Sequence, residues 1–136
     1  MKFKRFSSFV LSIICLAMLS LPGFAADARA SNQIMSYSMS TTPGNGTIDV
    51  EFGITGKGTM SKLGCEYIYV YEKVGTSWSY VTMRDEDDTG MSKKNSFIHN
   101  NMISIPCEDD TEYKVVVTVF AEDAEGRDSR TQPFYL

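Results

Sequence analysis

Few residues in this chain could perform chemistry. It has one histidine, His99, and three cysteines, Cys15, Cys65 and Cys107. No cysteine or serine is paired with His99 at a spacing typical of nucleophilic catalysis, and the sequence has no glycine-rich phosphate loop. The many carboxylates are not paired on apolar strands, as a glycosidase requires. The sequence therefore predicts a protein without enzymatic activity and without a cofactor.

Cys65 and Cys107 admit two interpretations. An even pair of cysteines in an exported protein ordinarily indicates a disulfide. The strands predicted below instead put Cys65 at the start of one strand and Cys107 just before its antiparallel neighbour, at opposite ends of one sheet, whereas a disulfide needs Cα atoms within about 7 Å. Both interpretations stay open. Together with the distant His99, the two cysteines lack the ligand spacing of a metal site.

The densest polar feature is the acidic run at residues 85–90, Asp-Glu-Asp-Asp-Thr-Gly. Taken as a calcium loop, this run has acceptable residues at the first positions, but Ser96 stands where a bidentate glutamate is required. Lys93 and Lys94 further oppose cation binding. The run is therefore predicted to be a solvated loop between two strands.

Four aromatic residues could form a binding surface: Tyr69, Tyr71, Trp78 and Tyr80. If residues 73–76 form a hairpin loop, Tyr71 faces Trp78 and Tyr69 faces Tyr80, and all four rings share the exposed face of a sheet. Such a face could stack on sugar rings or on an apolar patch of a partner. A register shift of one residue would instead bury Trp78 and Tyr80. The rings could also serve only as cross-strand pairs that stabilise the sheet.

The elements that must position these residues are β-strands, because side chains alternate with a period of two from Ser31 onward. Asn45-Gly46 is a strong hairpin signal, since both residues tolerate positive φ. The pattern predicts seven strands, at about residues 33–41, 47–55, 66–74, 77–83, 95–105, 113–121 and 129–135.

Seven short antiparallel strands in one domain favour a two-sheet β-sandwich of immunoglobulin or fibronectin type III type. Thr111-Glu112-Tyr113, followed by alternating valines, looks like the entry to strand F of a fibronectin type III domain. There a tyrosine hydrogen-bonds back to the backbone. The alternative is a closed β-barrel, for which the sequence lacks a repeated pattern of glycine kinks.

Residues 1–25 have the features of a secretory signal peptide. Three cations precede an apolar run, Phe9 to Leu21, which is shorter than the about 20 residues that a membrane anchor needs. Cleavage is predicted after Ala25. A flexible segment, residues 26–32, would then precede the β-sandwich domain, residues 33–136.

Four segments carry a resemblance to a known family: residues 68–73, Trp78, residues 115–122 and residues 128–131. Through them the chain is similar to a family of short secreted proteins of unknown function from Gram-positive, gut-type bacteria. The resemblance implies secretion and a fibronectin type III or immunoglobulin-like β-sandwich, and it implies no activity and no binding residues. The two cysteines outside the leader depart from the family pattern, in which small residues are usual.

Charge and export limit the partners. The chain has 13 Lys+Arg and 17 Asp+Glu, a net charge of −4, which disfavours nucleic acid. Removal of the leader leaves no membrane segment. The sequence thus predicts a secreted, non-catalytic binding module whose partner is another extracellular protein, bound at a sheet surface or edge strand. The alternative is a carbohydrate bound on the four aromatic residues; an inhibitor of hydrolases, without a recognisable inhibitory loop, is a third. The oligomeric state is left open.

Overall fold

The computed structural model describes residues 31–136, which form six β-strands and no helix. The predictions for residues 1–25 and 26–30 lie outside the described residues. Neighbouring strands are antiparallel throughout, so the predicted all-β antiparallel class is confirmed. Residues 31–136 contain no helix with the length and hydropathy of a membrane span. The strands are β1 (Ile34–Pro43), β2 (Thr47–Val74), β3 (Ser77–Asp85), β4 (Ser92–Pro106), β5 (Tyr113–Asp123) and β6 (Gly126–Tyr135).

Two of the seven predicted strands are joined in β2, which is 28 residues long. The alternation of side chains is interrupted at Gly56 and Gly58, so the pattern suggests a break after about residue 55. In the structure the chain stays extended through these glycines, and its pairing with β4 shifts between Thr55 and Met60. Glycine lets a strand bend without reversing its direction. The described domain therefore has six strands, and the prediction of seven separate strands is corrected.

The two halves of β2 have different neighbours. The N-terminal half lies between β1 and β4. The C-terminal half lies between β3 and β5, and β6 pairs with the far edge of β5. All six strands belong to a single curled sheet. Because β2 curls, both of its halves direct alternate side chains into one core.

The core consists of the apolar positions that alternate along β2 and β5, as the pattern in residues 47–55 and 113–121 predicts. Phe120 departs from this alternation: it is fully buried on the opposite face, beneath the guanidinium of Arg127. The alternating core residues, all essentially inaccessible to solvent, are Ile48, Val50, Phe52, Ile54, Ile68, Val70, Val115, Val117 and Val119.

Tyr113 forms the link that its position before the valines predicts. The side chain is buried, and its hydroxyl oxygen accepts a hydrogen bond from the backbone N–H of Glu108 at 2.9 Å. The backbone of Tyr113 exchanges two further hydrogen bonds with Leu136. These contacts fix the loop between β4 and β5, and the end of the chain, to the first residue of β5.

The first described residues are held against the sheet. The Ser31 hydroxyl accepts hydrogen bonds from the N–H groups of Gln33 and Ile34, and the Gln33 side chain donates to Asp123 at 3.2 Å. The backbone N–H of Lys57 donates to the carbonyl of Gln33 at 2.9 Å. The described chain thus begins beside the bend of β2.

Candidate binding surface

Tyrosines cover the outer face of the sheet at the C-terminal half of β2. Tyr67, Tyr69 and Tyr71 alternate with Ile68 and Val70, which are buried. Successive side chains of a strand point to opposite faces, so the three tyrosines share the face that is directed away from the core. Their ring centroids lie 5.6 Å apart between Tyr67 and Tyr69, and 6.4 Å apart between Tyr69 and Tyr71.

One row of side chains crosses all four strands of this part of the sheet. Tyr71 pairs with Tyr80 of β3 and with Lys114 of β5, and Lys114 pairs with Tyr135 of β6. The Tyr71 and Tyr80 rings meet edge to face at 6.4 Å, and the Lys114 Nζ lies 5.6 Å from the centroid of the Tyr71 ring. This distance is typical of a cation–π contact.

The neighbouring row, which passes through Tyr69, contains only apolar partners: Met83, Val116 and Pro133. At the margin, Trp78 lies two residues before Tyr80 on β3, on the same face, and its ring is 5.8 Å from that of Tyr135. Trp78 is 36% exposed and Tyr80 is 58% exposed. We call the following set the tyrosine face: Tyr67, Tyr69, Tyr71, Trp78, Tyr80, Lys114 and Tyr135.

The predicted cross-strand pairs on this face are wrong, although the predicted face is right. Trp78 pairs with Lys73, and Tyr80 pairs with Tyr71, because the hairpin loop has two residues, Gly75 and Thr76, where the sequence predicts four. Gly75 adopts a φ of +63°, which a two-residue hairpin turn beginning with glycine requires. The pairing is therefore displaced by two residues, and a displacement of two leaves every side chain on the same face.

A bulge then changes the pairing farther along the hairpin. The register shifts between Val70 and Tyr71, so that Tyr69 lies opposite Met83.

Sequence reasoning included Tyr69 in the surface but missed three members of the tyrosine face. Tyr67 could have been found from its alternation with Ile68. Lys114 and Tyr135 could not, because only the strand order places β5 and β6 beside β2.

Charged side chains form a second cluster on the outer face, above Phe120. Arg127 lies 2.8 Å from Glu86, 2.8 Å from Glu122 and 3.1 Å from Glu66, and its guanidinium carbon stands 4.2 Å from the centroid of the Phe120 ring. Glu86 and Arg127 make two hydrogen bonds, one to each carboxylate oxygen. We call these five residues the Arg127 cluster.

The Arg127 cluster anchors the acidic loop between β3 and β4. The hydrogen bond that Arg127 donates lowers the pKa of Glu86. Lys62 also contacts this loop: its Nζ lies 2.7 Å from the Glu86 carboxylate and 2.9 Å from the Asp87 carboxylate. Glu86 is therefore held ionised by its partners. Such a group stabilises a loop and is poorly suited to proton transfer near neutral pH.

The rest of the acidic loop is organised by its own backbone. The backbone N–H groups of Asp85 and Asp87 each donate a hydrogen bond to a carboxylate of the same run, at 2.9 Å. His99 and Asn101 both contact the carbonyl of Gly90 at 2.9 Å, which ties the loop to β4. Among residues 31–136, no three His, Cys, Asp or Glu side chains are grouped so that they could hold a metal ion.

The two cysteines of the domain are both free thiols. Cys65 pairs with Val119 on β5, whereas the N–H of Cys107 bonds to Gly46, beyond the other end of β5. In the described domain, Cys65 and Cys107 therefore lie at opposite ends of the sheet, with no disulfide between them. Burial raises the pKa of the Cys65 thiol to about 12, and burial is also the main cause that raises the pKa of Cys107.

We expect only one of these thiols to react in the folded protein. A small aromatic disulfide reagent at pH 8.5 should label Cys107, which is partly accessible, while Cys65 should react only when the protein unfolds, because it is buried and protonated. Peptide mapping by mass spectrometry identifies the labelled residue and separates it from Cys15. A Cys107→Ser variant should lose the early reaction. Two unreactive thiols in denatured, non-reduced protein would instead show a disulfide.

No family model matches the chain, and no curated protein shows significant similarity to it.

Proposed function

We propose that this chain is an exported, non-catalytic binding module that recognises an extracellular protein through the tyrosine face. The observation that supports this most is the row of Tyr80, Tyr71, Lys114 and Tyr135 across four strands. Tyrosine and tryptophan supply large contact areas with two rotatable bonds, and they are enriched where protein interfaces are strongest. Export is inferred from the signal-peptide features of residues 1–25.

We further propose that the curled sheet is equivalent to an immunoglobulin or fibronectin type III sandwich. In this interpretation β1, the N-terminal half of β2 and β4 form one layer, and β3, the C-terminal half of β2, β5 and β6 form the other. The strand order in each part supports it. So does the hydrogen bond from Glu108 N–H to the Tyr113 hydroxyl, which corresponds to the tyrosine corner of that fold.

The shape of the tyrosine face favours a protein over a small ligand. Four strands at a spacing of about 4.8 Å make the face about 14 Å wide. Sites for small ligands are concave and enclose most of the ligand, whereas protein interfaces are broad and have aromatic centres with polar margins. The row through Tyr69 is apolar, and the row through Tyr67 contains Thr118 and Thr131, which hydrogen-bond to each other at 2.8 Å. This change from apolar to polar matches a protein interface.

A carbohydrate is the second candidate. The exposed rings of Tyr80, Trp78 and Tyr135 favour it, because aromatic faces stack on the apolar side of sugar rings. Tyr69 and Tyr71, the other residues predicted for such a platform, are half-buried by their neighbours. The two candidates differ in which rings carry the binding energy, so substitutions can separate them.

The experiment compares the wild type with Tyr80→Ala, Trp78→Ala and a control, Tyr37→Ala, which removes an exposed tyrosine of β1 from outside the tyrosine face. Each immobilised protein is incubated with the extracellular fraction of the producing organism and, separately, with a glycan array. We expect a protein bound by the wild type and by Tyr37→Ala, with affinity at least about tenfold lower for Tyr80→Ala. Sugar binding lost in Trp78→Ala would establish the second candidate. Binding equal in all four proteins would refute both.

A further inference from the structure

One edge of β4 is not covered by another strand of the described domain. β4 pairs with β2 along one edge, and no described strand pairs with the other. Exposed N–H and C=O groups along an edge are a template for another strand, and proteins usually block them with charges, prolines or bulges. From Ser96 to Ile105 the sequence has neither a proline nor an Asp, Glu, Lys or Arg. The blocking charges and proline lie only at the ends, at Lys93, Lys94 and Pro106. Within the stretch, the Ser96 hydroxyl hydrogen-bonds to the N–H and C=O of Ile98.

The same stretch exposes large apolar side chains on both of its faces. Phe97 is 57% exposed, Met102 54% and Ile98 37%. The edges of β3 and β6 differ: β3 ends in Arg84-Asp85, and β6 includes Pro133 and begins beside Arg127. β1 is also without charge and exposes Met35 and Tyr37, but its outer face carries serine and threonine, and it ends at Pro43. Among the described edges, that of β4 combines the absence of charge with large apolar side chains exposed on both faces.

The sequence of this edge is a palindrome in polarity. Residues 96–104 read Ser-Phe-Ile-His-Asn-Asn-Met-Ile-Ser, which gives the same order of polar and apolar classes from either end. A two-fold axis through Asn100 would place two antiparallel copies so that Phe97 faces Ile103 of the second copy and Ile98 faces its Met102. Because these pairs differ by an even number of residues, both members lie on the same face of the sheet.

From this palindrome we propose that β4 pairs with β4 of a second copy of this chain, in antiparallel register about Asn100. A two-fold interface uses the same patch on both subunits, so it requires a self-complementary strand. The chain carries a net charge of −4, and two copies repel each other overall. An uncharged edge is the part that a second copy can approach without opposing charges. The tyrosine face lies on other strands and is not used.

The test follows the oligomeric state of the full chain by analytical ultracentrifugation over a range of concentrations. We expect a monomer–dimer equilibrium for the wild type. Ile98→Glu and Met102→Lys should each raise the dimer dissociation constant by at least about tenfold, because each places two charges opposite apolar side chains of the other copy. The double variant should recover dimerisation, since the carboxylate at position 98 of one copy then faces the ammonium at position 102 of the other.

The matched control is Ser36→Glu. Ser36 and Ile98 both pair with Thr55, from opposite sides of β2, so the control adds the same charge at the same level of the sheet on the β1 edge. We expect it to leave dimerisation unchanged. Circular dichroism verifies that each variant is folded. A wild type that stays monomeric up to about 1 mM, a dimer lost in Ser36→Glu but kept in Ile98→Glu, or a folded double variant that stays monomeric would each overturn the proposal.

Discussion

Replacement of Gly64 by alanine should lower the free energy of unfolding by about 3–5 kcal/mol. Gly64 has a φ of +153°, and a Cβ at this position would meet the Met91 carbonyl oxygen and lie 2.6 Å from the Ser92 Cα. These are backbone atoms of the segment that enters β4, so no side-chain rotation can relieve the clash. The same segment buries Met91 and receives the N–H of Cys65 at 2.7 Å. Chemical denaturation monitored by Trp78 fluorescence and circular dichroism measures the loss.

Gly58→Ala is the matched control for Gly64→Ala. Gly58 is also in β2 and has a φ of +150°, but nothing lies within 4 Å of its Cβ position. In this variant, only the strained backbone conformation should lower the free energy of unfolding, by about 1–2 kcal/mol. The difference between the two variants isolates the contact between β2 and the entry to β4. Equal losses at the two glycines would show that this contact has no steric role.

Substitution of Arg127 by methionine should destabilise the domain by about 2–3 kcal/mol at neutral pH. The Arg127 side chain is 29% exposed and forms ion pairs with Glu66, Glu86 and Glu122 while it covers the Phe120 ring. Methionine can still cover the ring but removes the positive charge that these three carboxylates share; Glu86 keeps its ion pair with Lys62. The remaining cost is therefore electrostatic, and thermal unfolding at several pH values measures it.

The destabilisation by Arg127→Met should depend on pH in a definite direction. The hydrogen bond from Arg127 lowers the pKa of Glu86 in the folded state. A lowered pKa adds stability at pH values above the unfolded value of about 4.3, and this stability disappears as the pH falls through the folded value. The difference in the free energy of unfolding between the wild type and Arg127→Met should therefore be largest near pH 7 and should decrease below about pH 4.

Glu112→Gln serves as the control for Arg127→Met. The Glu112–Lys73 ion pair is 3.0 Å long, but both side chains are exposed. Exposed pairs contribute less than about 1 kcal/mol, so this variant should unfold almost as the wild type does at every pH. If Arg127→Met behaves like Glu112→Gln, the Arg127 cluster is only a surface feature.

The period of side-chain alternation was enough to predict most of the local structure. It identified the buried face of residues 47–55 and the outward position of Tyr69 and Tyr71. The hydrogen bond from the backbone to the Tyr113 hydroxyl was expected from the likeness of residues 111–113 to the entry of a fibronectin type III strand F. Each of these depends on neighbours in sequence: on which residues alternate, on where a glycine permits a turn, and on a tyrosine a few residues from its hydrogen-bond donor. Local patterns of this kind keep their meaning in any fold that buries one face of a strand.

Other features could not be read locally. The displacement of the Trp78 pairing by two residues keeps every side chain on its face, so a period of two cannot detect it. The continuity of β2 through Gly56 and Gly58 depends on whether β4 and β5 hold both of its halves. Pattern alone cannot distinguish a glycine that ends a strand from a glycine that bends it.

The sequence by itself determined that alternating side chains would form antiparallel strands around one core, because the hydrophobic effect acts on each strand through its own pattern. The tertiary structure decided which strands became neighbours. It brought Tyr135 beside Lys114, put Arg127 above Phe120 and held Cys65 away from Cys107. Those contacts join residues far apart in the chain, so they depend on the pairing and curl of the whole sheet rather than on any one segment.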